Sequence, residues 1–369
     1  MEESRLLKKY IAPYFHWNQA HLTLLSLLIF GLIRTRTVNL AIVAESFGTH
    51  VQIHSHYKRI QRFLSNDKLS MQSIAHLIEA WFLPEGRWLL CLDRTHWKFG
   101  RIHINILVLA VAVQGVAIPI FWVMLKKAGN SNTQERINLI GQFISHFGSE
   151  RIQCLTADRE FRGQDWVCFL QQNNIPFCIR IPTNTQVFNR HQNKKLPVKR
   201  LFSLKPGESM VLNQCRTIWG ISVHLACFRS TDDWVIIACD QAPAQALTAY
   251  QQRWAIETLF QCLKGRGFNL EETHLTKAER IEKLFAVLTI AFCWCYKMGE
   301  WRHEAKPITK KNHGRSSKTI FRYGAEWLRA LLHEPHTSKE KLRLIIMLLP
   351  EPDPDIKIIK HLFDIKTIN

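Results

Sequence analysis

Apolar side chains recur every three or four residues from the start of the chain to about residue 80, which is the period of an α-helix. The run HLTLLSLLIFGLI is typical of a buried helix. A second helix is predicted over Thr37–Phe47, because Gly48 follows it as a C-terminal stop signal. A third helix is predicted to begin at Ser55, a good N-cap residue, and to continue through SHYKRIQRFLS.

The third helix is basic on one side and apolar on the other. Its basic residues are Lys58, Arg59 and Arg62. A helix, a turn and a basic helix suggest a DNA-reading helix-turn-helix, in which these three residues would contact DNA. The turn is longer than that motif prefers, and a helical bundle with a solvated basic face explains the pattern equally well.

From Arg87 onward the pattern is that of alternating strands and helices. RWLLCLDRT is an apolar strand that ends on Asp93, and RIQCLTADREF is another that ends on Asp158. Two further strands and the helix SNTQERINLIGQFISHF lie between them. That helix has Asn132 as its N-cap and Glu135 three residues later, the spacing of a capping box.

The alternation continues with a helix over Gly163–Gln172 and the strand IPFCIRI, which ends near Arg180. The predicted order is three strands, helix, strand, helix, strand, so the fold class is α/β. Residues from about 182 to 232 then interrupt it with a β-rich insertion, and DWVIIACD returns to the core sheet. A last segment, Ala305–Asn369, begins with the basic loop KPITKKNHGRSSK and ends in helices. The pattern of that loop fits a solvated linker and a phosphate-binding segment equally well.

One apolar segment, Ile104–Leu125, is long enough to be compared with a membrane span. Gln114 and Gly115 lie in its middle, Pro119 follows, and the flanking runs are rich in Val and Ile. Two buried strands joined by a turn therefore fit better than one transmembrane helix.

The composition indicates a folded protein with a polyanionic partner. The chain has 369 residues, a net charge of +19 and 47% hydrophobic residues. Such an excess of positive charge on a core-forming chain favours nucleic acid as the partner, with a ribosomal or membrane-surface role as the alternative. The first residues show no signal-peptide pattern. The ten cysteines form no C-x-x-C pair, so we expect reduced core thiols, no zinc site and a cytoplasmic location.

The stretch YQQRWAIETLFQCLKGRGF, Tyr250–Phe268, is predicted to be one amphipathic helix. At about 100° per residue, Tyr250, Arg253, Glu257 and Lys264 share one face, opposite the apolar residues. An ordinary surface ion pair between Arg253 and Glu257 would explain part of this stripe.

A carboxylate at the ends of two separate strands, together with Glu257 on a later helix, is the arrangement required by two-metal phosphoryl transfer. Three carboxylates with few competing Cys or His suit Mg²⁺, or Mn²⁺ in its place, better than zinc. Asp93 or Asp158 alone would be weak evidence, because Asp residues at strand ends often cap turns. The combination, in this order, is much more specific.

With these motifs the chain resembles DDE transposases of bacterial insertion sequences, in particular the insertion-sequence-four family marked by the signature Tyr-x2-Arg-x3-Glu-x6-Lys. Tyr250, Arg253, Glu257 and Lys264 match that signature at every spacing. The resemblance implies a ribonuclease-H-like mixed-sheet core that carries a β-rich insertion, with helical N-terminal and C-terminal regions.

The other family positions also have counterparts. Asp93 in LDRTHWKFG and Asp158 in TADREF match the first and second catalytic aspartates, and FRYG, Phe321–Gly324, resembles the C-terminal region of the family. By this resemblance Asp93, Asp158 and Glu257 hold two Mg²⁺ ions.

The resemblance also implies DNA contacts. Tyr250, Arg253 and Lys264 contact phosphates of the transposon end, and Trp234 accommodates a flipped base, although a tryptophan that opens a buried strand usually only packs. Arg180 is placed close enough to touch the same DNA.

Four further residues lie next to the predicted site residues in the sequence. Arg159 and Glu160 support the ligands or belong to a turn, and Arg94, a bulky residue after the first aspartate, alters DNA contacts. Trp254 is expected in the core, with packing against DNA as the alternative.

The expected organisation is a helical DNA-binding region at 1–82, a catalytic core at 83–300 and a C-terminal region at 301–369. The implied activity is cut-and-paste transposition: hydrolytic nicking, a hairpin intermediate, and strand transfer by a 3′-OH. The expected partner is double-stranded DNA, both terminal inverted repeats and target, bound by a dimer without any membrane. The alternatives are an inactive DNA-binding repressor and a ribonuclease-H-like nuclease.

Overall fold

The computed structural model describes residues 2–48, 51–65, 69–189, 194–240, 243–312, 314–351 and 354–364. Its helices are α1 (Glu2–Ile11), α2 (Gln19–Thr35), α3 (Leu40–Glu45), α4 (Ile53–Leu64), α5 (Met71–Phe82), α6 (Thr133–Phe147), α7 (Gln164–Gln172), α8 (Pro243–Gln251), α9 (Trp254–Leu263), α10 (Ala278–Ala305), α11 (Ile320–His333), α12 (Pro335–Leu348) and α13 (Ile356–Asp364). Its strands are β1 (Trp88–Phe99), β2 (Ile102–Val113), β3 (Val116–Met124), β4 (Ile152–Ala157), β5 (Phe177–Ile181), β6 (Gln186–Asn189), β7 (Lys194–Pro197), β8 (Ser209–Ile218), β9 (Ile221–Arg229) and β10 (Trp234–Cys239).

All of these strands form one sheet in the order β3-β2-β1-β4-β5-β10-β9-β8-β6-β7. The first five members are the ribonuclease-H-like core: β2 and β3 are antiparallel, whereas β4 is parallel to both β1 and β5. The parallel pairs are connected through α6 and α7, as parallel strands require a crossover. The predicted α/β fold class, with a mixed sheet and helical ends of the chain, is confirmed.

The apolar segment Ile104–Leu125 forms two buried strands, as predicted. β2 and β3 pair in register from Ile106↔Met124 to Val113↔Val116, and Gln114 and Gly115 form the turn with positive φ angles. Across the described residues, no helix combines the length and the apolarity that crossing a membrane would require.

The insertion extends the core sheet. The returning strand β10 pairs with β5 on one side and with β9 on the other, both in antiparallel orientation. The strands β6 to β9 therefore continue the same hydrogen-bonded sheet outward from the core, so the insertion and the strand that carries Arg180 are directly coupled.

Three predicted helix boundaries are wrong. α4 begins at Ile53, so Ser55 lies in its first turn and is not the N-cap. α3 spans only Leu40–Glu45, because the Asn39 side chain accepts a hydrogen bond from the N–H of Ala41 and begins the helix there. The predicted helix over Tyr250–Phe268 is interrupted between α8 and α9.

The residues form two compact units. One comprises Glu85–His96 and Asn105–Leu259, and the other comprises Met1–Pro84, Trp97–Ile104 and Phe260–Asn369. The second unit is mainly helical and is built around α10, which is buried on nearly all sides from Ile281 to Trp301 and packs against α2 and α11.

A buried lysine joins three helices of the helical unit. The ammonium group of Lys297, on α10, donates to the carbonyl oxygens of Trp81, Leu349 and Glu351 at 2.7, 3.1 and 3.1 Å. Burial lowers the pKa of Lys297 to about 8, against weaker opposing effects of Glu300 and Glu351. One cation thus satisfies three carbonyl groups at or just beyond the C-terminal ends of α5 and α12.

The crossing of α10 and α11 depends on two glycines. A Cβ atom on Gly324 would lie 2.0 Å from the carbonyl oxygen of Cys295, and one on Gly299 would lie 2.0 Å from that of Ile320. Real side chains do not tolerate such contacts with backbone atoms. Gly324, part of the FRYG motif, is therefore required by close helix packing.

We predict that Gly324→Ala destabilises the helical unit by about 1–3 kcal/mol, the usual cost of overpacking. The matched control is Gly141→Ala inside α6, where an added Cβ meets no atom within 4 Å. That change should stabilise the protein by about 0.5–1 kcal/mol, since Ala loses less backbone entropy than Gly. Thermal unfolding followed by circular dichroism measures both. Equal shifts in the melting temperature would contradict the packing argument.

Candidate active site

Asp93 and Asp158 lie side by side because of the register between β1 and β4. The parallel pairing ends at Leu92↔Ala157, and each aspartate is the next residue. The prediction that Asp93 ends its strand is wrong, since β1 continues to Phe99. What ends there is the pairing with β4, whose own last residue is Ala157.

The third carboxylate comes from the junction of α8 and α9. Arg253 lies in the interruption between these helices, where its N–H donates to the carbonyl oxygen of Tyr250 at 2.9 Å. Glu257 follows in the first turn of α9. The interruption turns Arg253 inward, and only 5% of it remains exposed.

One hydrogen-bonded network joins all three carboxylates to Arg253. Its Nη2 pairs with Glu257 Oε1 at 2.6 Å and its Nη1 with Asp93 Oδ2 at 3.4 Å. Its Nε donates to the Tyr250 hydroxyl at 3.1 Å, and that hydroxyl donates to Asp158 Oδ1 at 3.3 Å. Five predicted site residues therefore lie together: Asp93, Asp158, Tyr250, Arg253 and Glu257.

The local electrostatics reflect crowded carboxylates in a buried position. Burial raises the pKa of Asp93 to about 7; Glu160 and Asp158 add to the rise, while the Arg94 N–H and the Arg253 guanidinium oppose it. Burial also raises the pKa of Tyr250 to about 12, so its hydroxyl remains a donor at neutral pH. An additional positive charge at this position would favour the ionised form of Asp93.

The donor set has the chemistry of a site for a hard divalent cation, because it consists of carboxylate oxygens. Among the described residues, however, no three His, Cys, Asp or Glu side chains are grouped closely enough to hold a metal ion in their present positions. The guanidinium of Arg253 lies between Asp93 and Glu257 and accounts for their separation. These side chains could hold a metal after Arg253 shifts.

A second ion pair joins the two strands that carry the aspartates. Arg94 donates to both carboxylate oxygens of Glu160, at 2.8 and 3.2 Å, and to Asn130 Oδ1 at 2.8 Å. Arg136, which is 4% exposed, donates to the carbonyl oxygens of Glu160 and Arg162 at 3.1 and 3.3 Å. The loop after Asp158 is thus held from two sides, and Arg94 is engaged within the protein.

Arg180 and Trp234 lie together at the neighbouring strands β5 and β10. Arg180 Nη2 pairs with Asp233 Oδ2 at 2.5 Å, and Asp233 Oδ1 accepts from the N–H of Trp234 at 2.7 Å. The Trp234 ring is half-buried, with Lys199 Nζ 5.1 Å and Arg229 Cζ 5.0 Å from its centre. The predicted DNA contacts of Arg180 and Trp234 stay predictions.

The remaining predicted DNA contacts lie in the helical unit. Lys264, just after α9, pairs with Glu271 at 2.7 Å. Lys58 and Arg62 are exposed on α4, whereas Arg59 is half-buried. Arg159, in the loop after β4, is exposed.

The core position expected for Trp254 is wrong, whereas the alternative, packing against DNA, stays a prediction. Trp254 is 60% exposed at the start of α9, and the Arg253 guanidinium carbon lies 5.5 Å from the centre of its ring. The signal was present in the sequence, because Glu257, Thr258 and Gln261 follow Trp254 at helical spacing and make its face of α9 polar.

Among solved structures, the chain is similar to the piggyBac transposase in a cryo-EM structure of its synaptic complex with hairpin DNA, with 13% identity, a TM-score of 0.45, and coverage of 95% of this chain and 83% of the other. No curated protein sequence matches the chain. Residues 84–294, more than half of the chain, match the model of the transposase DDE domain family.

That match includes all three carboxylates and the core sheet that positions them. DDE transposases act on DNA with the help of divalent metal ions, which agrees with the oxygen donors found here. The chain therefore belongs to the transposase DDE domain family and is an enzyme of DNA transposition, which cleaves DNA and transfers strands.

Proposed function

We propose that this DDE transposase is a member of the insertion-sequence-four family in which Asp93, Asp158 and Glu257 hold two Mg²⁺ ions, with Mn²⁺ as a substitute. The observation that carries the proposal is the network that gathers these carboxylates around Arg253. When bound, the ions activate the attacking oxygen of water or of a 3′-OH and stabilise the leaving oxygen. The products are nicked transposon ends and strands joined to target DNA.

In this proposal Arg253 and Tyr250 position the DNA end. A guanidinium carries five N–H donors. Three of those of Arg253 are directed to Tyr250, Asp93 and Glu257, which leaves two for a phosphate oxygen. Movement of Arg253 toward a phosphate would release Asp93 and Glu257, the side chains that would hold the metal. Lys264 places a further positive charge beside a phosphate of the bound DNA.

The exposed ring of Trp254 extends the same surface. Its position next to Arg253 supports stacking against a base or sugar of the transposon end. Trp234 and Arg180 supply the second DNA contact, at which a base leaves the stack while the end is sealed as a hairpin. Base unstacking costs a few kcal/mol, which stacking on an aromatic ring partly offsets.

The DNA partners in this proposal are terminal inverted repeats and target DNA, bound by a dimer. Residues 1–82 form the DNA-binding region, with Lys58, Arg59 and Arg62 of α4 as contacts. The net charge of +19 supports a polyanionic partner.

We predict that Asp93→Asn, Asp158→Asn and Glu257→Gln each abolish nicking of a transposon end but retain most of the affinity for it. Each removes a metal ligand at nearly constant volume. Nicking of end-labelled DNA and a gel-shift titration are measured side by side, with the exposed Asp232→Asn as control. Near-normal nicking by any of the three variants would exclude it from the metal site, whereas binding without nicking by the unmodified protein would indicate an inactive repressor.

We predict that Arg94→Gln and Glu160→Gln each raise the Mg²⁺ concentration needed for half-maximal nicking about 10- to 100-fold, as is typical when support of a metal ligand is lost. The double variant should be no worse than either single one, because the two side chains act as one pair. Arg159→Gln, which changes an exposed neighbour, is the control. A loss of DNA affinity by Arg94→Gln without any change in Mg²⁺ dependence would identify Arg94 as a DNA contact instead.

We predict that Trp234→Ala leaves the first nick nearly normal and slows hairpin formation. Only the hairpin step bends the strand enough to require a base outside the stack. A time course on end-labelled DNA that resolves nicked from hairpin product measures the two rates. Equal slowing of both steps with a lowered melting temperature would show that Trp234 only packs, and the absence of hairpin with the unmodified protein would show that the ends are freed by another route.

A further inference from the structure

A polar cleft of about 710 Å³ lies on the insertion, apart from the carboxylates. It is formed by β6 and β7, by the turn between β8 and β9, and by the segment before α7. Two cationic side chains, Arg162 and Lys195, line it together with two aromatic rings, Phe188 and Trp219, and no acidic residue is among its lining residues. Amides and hydroxyls complete the surface.

The sheet register explains why these side chains face the cleft. Val187 pairs with Ile218, and both are buried on one face of the sheet. Side chains alternate between faces along a strand, so the neighbouring Phe188 points to the other face. Lys195 lies directly opposite Phe188 on β7 and shares that face. The ring of Phe188 is 39% exposed, and the cation stands beside it.

Trp219 occupies a backbone conformation that does not suit it. Ile218 pairs with Ile221, so Trp219 and Gly220 form a two-residue turn, with φ angles of 52° and 80°. A hairpin turn with two positive φ angles favours Asn-Gly, and a bulky aromatic residue at positive φ is strained. Such strain is typically kept where the side chain has a function.

The cations of the cleft are available for a ligand. In the described parts of the chain, neither Arg162 nor Lys195 is ion-paired with a carboxylate. The backbone of Arg162 is also held in place, because its carbonyl oxygen accepts a hydrogen bond from the buried Arg136. It follows Asp158 by only four residues, so their Cα atoms are at most about 14 Å apart.

We propose that this cleft binds unpaired nucleotides of a DNA strand, with bases stacked on Trp219 and Phe188 and phosphates paired with Arg162 and Lys195. Aromatic faces interleaved with cations on an open sheet suit single strands, because only an unpaired base offers its face for stacking. The inference rests on the proposed function, since it takes DNA as the substrate. It places a single strand next to the loop that carries Asp158, at a surface separate from Trp234.

The test uses the strain in the turn. Trp219→Asn restores the residue that this turn favours, so the melting temperature should stay equal or rise. Affinity for a fluorescein-labelled ten-nucleotide oligothymidylate, measured by anisotropy without divalent ions, should fall roughly 5- to 100-fold, the range expected for one lost stacking contact. Phe188→Ala should weaken binding similarly. Phe228→Ala, which removes another exposed ring of the same sheet, is the matched control and should leave affinity unchanged.

Forked duplexes identify the source of the strand. One fork carries the unpaired tail on the transposon strand and the other carries it on the flanking strand. The strand bound in the cleft is the one whose fork binds the unmodified protein more tightly than a fully paired duplex does, and loses that difference with Trp219→Asn. Unchanged affinity of Trp219→Asn for oligothymidylate and both forks, or a lowered melting temperature, would overturn the proposal. Nicking of a fully paired transposon end is measured in parallel. If the unmodified protein nicks this end but does not bind oligothymidylate, only the proposal for the cleft is refuted. If it binds oligothymidylate but does not nick, the proposed function is refuted.

Discussion

The arrangement of the site depends on one buried cation surrounded by carboxylates. A guanidinium that is nearly inaccessible to water must be paired, because an uncompensated buried charge is strongly destabilising. Arg253 meets that requirement with Asp93, Glu257 and the Tyr250 hydroxyl, and the last of these reaches Asp158. The same contacts keep three acidic groups from repelling one another. On the proposed assignment, the same set of hydrogen bonds serves both folding and the gathering of the metal ligands.

The loop after β4 connects this network to the rest of the core unit. Glu160 accepts from Arg94 on β1, and its carbonyl oxygen accepts from Arg136 on α6. Three parts of the fold, β1, α6 and the loop after β4, thus converge next to Asp158. Because β10 also joins the core sheet to the insertion, the two aspartates and the proposed cleft on the insertion are carried by one continuous sheet. This rigidity suits phosphoryl transfer, which relies on accurate positioning.

The sequence was sufficient for the features that follow from periodicity and spacing. Two apolar segments that lead to aspartates, with a crossover between them, placed Asp93 and Asp158 in one predicted site, and the register of β1 with β4 brings the two residues together. The interruption between α8 and α9 could not be foreseen, because no Gly or Pro marks it and it is stabilised by the tertiary contacts of Arg253. The exposure of Trp254 follows from that interruption. The pairing of Arg94 with Glu160 joins residues 66 positions apart, which local patterns do not report.

The place of β10 in the sheet has a consequence for the order of synthesis. The strand lies between β5 and β9. The core strand β5 therefore lacks its neighbour β10 until the whole insertion, residues 182–232, has been made. Arg253 and Glu257 follow later still along the chain. A chain that ends between Asp158 and Arg253 thus carries both aspartates without the third carboxylate and without the cation that gathers them. On the proposed assignment, such a chain has no cutting activity, and the DNA beside a translating ribosome is protected at least until Glu257 has been made.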